Sequence, residues 1–234
     1  MPGYDGNFGA KRAREARAAL GLDPEEPFAC VLSAIEGAGV PVVVAALPGE
    51  TAGCCVTLDD RSYLFVNGRQ YIGRQRFTLA HEYGHHVLGH DGSVPDSKAT
   101  INGRTLSSVE VQANAFAAEF LAPAAGVRAM VDGEPTLETI ARVAGRFGIS
   151  MRAALVRVHN LRLTARYDEL RAELDDPELR QWVRPAERDD ELARIGSRLP
   201  RVSALIADSH LHAALRGDAA ADPALSRALS LLMR

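Results

Sequence analysis

Residues 77–86 read Phe-Thr-Leu-Ala-His-Glu-Tyr-Gly-His-His, and His81 to His85 form an HExxH pattern. For both histidines to meet one ion, this stretch must be a helix, where positions i and i+4 lie one turn apart on one face. Phe77, Leu79, Ala80 and Leu88 flank the motif, so the helix is expected to be partly buried. Two histidines and a glutamate in such a setting need partners, and a metal ion supplies them. Glu82 is placed to take a proton from a metal-bound water. The segment therefore points to metal-assisted hydrolysis, most often of a peptide bond.

The rest of the chain supplies a frame for that helix. Ala10 to Leu20 is helical in pattern, and Pro24 to Glu26 is expected to open a second helix that continues through Phe28, Val31, Leu32 and Ile35. Val40 to Leu47 is β-prone. Gly53 to Leu58 and Ser62 to Asn67 flank a tight turn at Asp59-Asp60-Arg61, and together these runs read as a small antiparallel sheet. The motif helix is expected over Arg74 to Leu88, ending near Gly89, followed by a polar loop over Asp91 to Arg104. Ser107 to Leu121 is a helix closed by Pro123, and 137–147 and 151–163 are helices around a Gly148-Ile149-Ser150 turn. Further helical patterns, separated by prolines, run to the C-terminus. The fold class is α+β, predominantly helical with a small antiparallel sheet, followed by a helical C-terminal extension.

Two histidines and a water leave tetrahedral zinc one protein ligand short. Glu110 is the best candidate, since Ala113, Ala117 and Leu121 share its helix face and a carboxylate at the end of an apolar face calls for a neutralising cation. Ser107-x-x-Glu110 also fits a capping box, in which the glutamate serves the helix N-terminus. Both readings stand on sequence alone. A His₂Glu donor set leaves the zinc centre a residual positive charge, which lowers the pKa of a bound water and polarises a scissile carbonyl. The same donors accept Mn²⁺ or Fe²⁺.

Other polar residues near the motif are read more blandly. Asn114, one turn after Glu110, is placed to orient a ligand. Gly84 suggests close helix packing. His86 lies about 100° round the helix from His85 and is assigned, with His90, to the rim of the site. Tyr71, Tyr83, His86 and His90 are candidates to stabilise an oxyanion.

Composition narrows the function. There are 27 Lys and Arg against 30 Asp and Glu, a net charge of -3, which argues against bulk electrostatic binding to nucleic acid. A local basic stretch, Arg142, Arg146, Arg152, Arg157, Arg162 and Arg166, accompanies the helix-turn-helix-like pattern of 137–163; it reads chiefly as the solvated face of core helices. An acidic stretch from Asp168 to Glu191 follows and is a candidate to pack against it. The three cysteines, two of them adjacent, suit a reduced protein. With no apolar stretch suited to a signal or a span, a cytosolic location is expected.

The blocks Arg76 to His85 and Glu110-Val111-Gln112-Ala113-Asn114-Ala115-Phe116-Ala117-Ala118-Glu119-Phe120-Leu121-Ala122-Pro123 resemble those of the ImmA/IrrE metallopeptidases in content, order and separation. The likeness covers about residues 10 to 165. It implies a gluzincin-like zinc site with His81, His85 and Glu110 as ligands and Glu82 as general base. It also implies cleavage of a cytosolic regulatory protein, a helix-turn-helix repressor or an antitoxin-like partner. The organisation expected for the whole chain is a zincin-like core over 1–135, a helix-turn-helix-like subdomain over 136–166 and a helical extension over 167–234, the last without a family motif. This chain carries Gln112 where the family often has a second glutamate. The competing readings are a non-catalytic metal-binding regulator and a toxin–antitoxin component acting by protein or DNA contact.

Overall fold

A computed structural model describes residues 2–47, 50–58, 61–90, 96–97, 107–176 and 201–202. In chain order the described elements are α1 (Pro2–Ala19), α2 (Val31–Gly37), β1 (Val42–Ala45), β2 (Thr51–Leu58), β3 (Arg61–Asn67), α3 (Ile72–Leu88), β4 (Asp96–Ser97), α4 (Ser108–Leu121), α5 (Ala124–Arg128), α6 (Leu137–Phe147), α7 (Met151–Asn160), α8 (Tyr167–Asp175) and β5 (Arg201–Val202). The expected loop over 91–104 and the extension past residue 176 lie outside the described residues, apart from β4 and β5. No described helix is long and apolar enough to cross a membrane.

The strand order is β4-β2-β3-β1-β5. β2 and β3 form the expected antiparallel hairpin, with Gly53 opposite Val66 and Cys55 opposite Leu64. β1 pairs with β3 in parallel, Val42 opposite Leu64 and Val44 opposite Val66, so the sheet is mixed and not purely antiparallel. The reason is topological. The chain returns from β1 into β2, and the hairpin then inserts β3 between them, so β1 and β3 run the same way. Val42, Val44, Leu64 and Val66 face the helices.

α3 lies on that face, and α4 packs beside it. Gly84 marks their closest approach: a Cβ there would stand 3.0 Å from Phe116 Cδ1 and 3.2 Å from its Cβ. Tyr83, Phe116, Phe120 and Phe28 complete an aromatic cluster between the helices and α2. Val127, Ile140, Val143, Phe147, Leu155, Val158 and Leu170 continue the same core through α5 to α8.

Buried charge ties the helices together. Arg157 on α7 donates to Glu119 on α4 and, through Nε, to the Ala122 carbonyl at 2.9 Å. Burial holds the Arg157 guanidinium below its ordinary pKa, and Glu119 offsets part of that. Arg17 on α1 donates to the carbonyls of Phe120, Asp23 and Glu26 at 2.8, 2.6 and 2.6 Å. Those last two contacts hold 23–26 as a connection, so the expected helical start at Pro24 is not formed. α2 begins instead at Val31, behind Cys30, whose Sγ accepts from Ser33 N.

Several arginines of the basic stretch are paired. Arg146 meets Glu26 at 2.8 Å, Arg152 meets Asp175, and Arg166 meets Glu169 and Glu173. The beginning of the acidic stretch thus lies against the basic helices, as α8 packs on α7.

Candidate metal centre

α3 presents His81 and His85 one turn apart, both buried, with their Nε2 atoms 3.0 Å from each other. α4 brings the Glu110 carboxylate to the same point: Oε2 lies 3.2 Å from His81 Nε2 and Oε1 lies 3.5 Å from His85 Nε2. Among the described residues, these are the His, Cys, Asp and Glu side chains grouped so as to hold an ion, with donor atoms within 4.8 Å of one another.

The donor spacing suits a small metal ion. Zinc bonds of about 2.0–2.1 Å in tetrahedral geometry set neighbouring donor atoms about 3.3 Å apart. The three separations here, 3.0, 3.2 and 3.5 Å, bracket that value. The charge also fits: two neutral imidazoles and a carboxylate are a buried group of net negative charge, which a cation compensates.

Only the serine half of the capping box is formed. Ser107 is the N-cap of α4, and its Oγ accepts from Glu110 N at 3.3 Å. The main chain of Glu110 thus serves the cap, while its side chain turns to the two histidines.

Glu82 is 1% exposed and sits under the sheet. Gly53, opposite Val66 on the helix-facing side of β2, abuts it. A Cβ at position 53 would lie 3.0 Å from Glu82 Oε1, 2.5 Å from Thr78 Cγ2 and 2.7 Å from Phe65 O. Only a residue without a side chain leaves Glu82 its place. A glycine inside a strand is a sign of such close approach, so this neighbour was within reach of sequence reasoning.

The remaining candidates are distributed around the centre. His86 turns to β3, where its Nδ1 is 2.8 Å from Ser62 Oγ, and burial lowers its pKa. Tyr83 is buried in the aromatic cluster, and burial raises its pKa; Tyr71 is the exposed N-cap of α3. Asn114 is half-buried on α4, one turn beyond Glu110. His90 departs from the rim assignment, because its Nδ1 lies 3.0 Å from Nδ1 of His85 and its Nε2 lies 3.2 Å from Gln112 Oε1. Gln112, which stands where the family often has a second glutamate, also donates to Asp5 on α1 at 2.9 Å. The Gln112 and Ser108 hydrogen bonds hold the Asp5 carboxyl below its ordinary pKa.

The comparisons with known proteins bear on the same segment. A family model for peptidase M78, described as an IrrE N-terminal-like domain, matches residues 36–159, which include all four residues of the proposed site. The radiation response metalloprotease IrrE of Deinococcus radiodurans is 34% identical over 99 residues, covering 41% of this chain and 30% of that relative. The chain thus spans under a third of the length of that curated relative. The chain belongs to the M78 peptidase family, and the family's metallopeptidase domain accounts for its residues 36–159.

Proposed function

We propose that this chain is a zinc-dependent endopeptidase that hydrolyses a peptide bond in a specific cytosolic regulatory protein, a repressor of the helix-turn-helix type or an antitoxin-like partner. The observation that carries the reading is the convergence of His81, His85 and Glu110 from two helices on one buried point, with Glu82 next in the chain to the first of them. His81, His85 and Glu110 would hold the ion, which when bound supplies Lewis acidity toward a carbonyl and a water of lowered pKa. Glu82 is the general base: its carboxylate accepts the proton of the attacking water and returns it to the leaving amine. Gly53 on β2 abuts that carboxylate, so its position is set by packing before any substrate arrives.

The similarity to a radiation response metalloprotease supports the reaction class; the regulatory substrate rests on the family resemblance. The test is Glu82→Gln, made in the full chain and co-expressed with a regulator encoded beside it. The variant is expected to bind zinc as the parent does and to leave the regulator uncut. Full biological effect in Glu82→Gln would instead favour a non-catalytic metal-binding regulator, which has no use for a general base.

A further inference from the structure

We propose that His90 and Gln112 are positioning residues for His85, joined in a hydrogen-bonded relay that ends on Asp5 and fixes the tautomer in which His85 offers Nε2 to a metal ion. The inference rests on the reading of His85 as a ligand.

The polarity of the relay follows from each end independently. At the inner end, His85 Nε2 faces His81 and Glu110, so as a ligand it must carry a lone pair there. Neutral His85 then has its proton on Nδ1 and donates it across 3.0 Å to His90 Nδ1. His90, accepting at Nδ1, carries its own proton on Nε2 and donates to Gln112 Oε1 at 3.2 Å. At the outer end, the Asp5 carboxylate only accepts, so the Gln112 atom 2.9 Å from it must be the amide nitrogen. That again leaves Oε1 for His90. Both ends demand the same direction, and every donor in the chain meets an acceptor.

The fold builds this relay from three elements. Gly89 closes α3 in the left-handed region at φ 66°, and His90 N bonds back to His85 O at 3.0 Å, which returns the His90 ring to the side of His85. α1 lies so close to α4 that a Cβ on Gly9 would be 2.1 Å from Gln112 O, and this brings Asp5 within reach. Metal-bound histidines elsewhere are oriented through their second nitrogen in the same manner, usually by a carboxylate or a carbonyl. Here a second imidazole and an amide stand between the ligand and the carboxylate.

The test compares the full chain with His90→Ala, Gln112→Ala, His90→Gln and His85→Ala. Zinc affinity is measured by chelator competition, and the His85 tautomer is read from imidazole ¹⁵N shifts of the metal-free protein. His90→Ala is expected to weaken zinc binding roughly 10- to 100-fold and to move His85 toward the Nε2–H tautomer. Gln112→Ala is expected to act in the same direction, to a smaller extent. His90→Gln, whose amide can accept from His85 and donate to Gln112, is expected to restore both readouts. Parental affinity and tautomer in His90→Ala and Gln112→Ala, with zinc still lost in His85→Ala, would overturn the relay alone. Parental zinc affinity in His85→Ala would overturn the metal-site reading and the relay with it.

Discussion

Gly53→Ala probes the confinement of Glu82 with a single methyl group. The added carbon would stand 2.5 Å from Thr78 Cγ2 and 2.7 Å from the carbonyl oxygen of Phe65. Carbon atoms in good contact lie about 3.5–4.0 Å apart, so the first overlap is about 1 Å. Thr78 is fully buried on α3 and Phe65 is in the central strand, so neither yields without moving its element. The response expected is for α3 to lift slightly off β2 and for the Glu82 carboxylate, whose Oε1 would be 3.0 Å from the same carbon, to shift relative to His81 and His85. Overpacking of this kind costs about 1–3 kcal/mol, or roughly 2–12 °C in Tm for a chain of this size. A displacement of about 1 Å at a catalytic group can cost about 100-fold in turnover. The metal donors sit on α3 and α4, which are packed together, so zinc affinity is expected to change far less than turnover. Adding Thr78→Ser removes the 2.5 Å contact and leaves the one at 2.7 Å, so it should recover part of the lost Tm. Thermal unfolding, zinc titration and cleavage of the partner protein measure the three effects. Parental Tm and turnover in Gly53→Ala would refute the idea that β2 holds Glu82 in place.

Two further expectations separate architecture from chemistry. Ser107→Ala removes the cap of α4 and should cost about 1 kcal/mol in thermal unfolding while leaving zinc affinity intact, because the Glu110 side chain does not depend on Ser107 Oγ. Arg157→Met strands the buried Glu119 carboxylate. The expected loss is about 3 kcal/mol, at the low end for a buried pair because Arg14 lies 3.6 Å from the same carboxylate, and Tm should fall by about 6–12 °C.

The grouping of His81, His85 and Glu110 was legible in part. HExxH on a helix pairs the two histidines locally, whereas Glu110 stood equally as a helix cap on its own residues and was singled out by the family resemblance. What escaped depends on tertiary contacts. His90 looks like a rim residue until Gly89 folds it back on His85, and Gln112 looks like a mere departure from the family pattern until α1 supplies Asp5. The mixed sheet follows from β3 inserting beside β1, an order that alternation of apolar residues does not encode. The failed helical start at Pro24 comes from a side-chain contact that periodicity does not show, since Arg17 at the end of α1 takes the carbonyls of residues 23 and 26. Likewise α1 begins well before Ala10, through a glycine-rich stretch of low helix propensity, because packing on α4 supports it.

Titration of zinc into the metal-free chain and into Glu110→Ala asks whether one ion is held by two residues of α3 and one of α4. One ion per chain is expected in the parent, and in Glu110→Ala a loss of affinity beyond the roughly 100-fold that marks the removal of an outer orienting group. Equal stoichiometry and equal affinity in the two proteins would contradict that arrangement and return Glu110 to the helix cap alone.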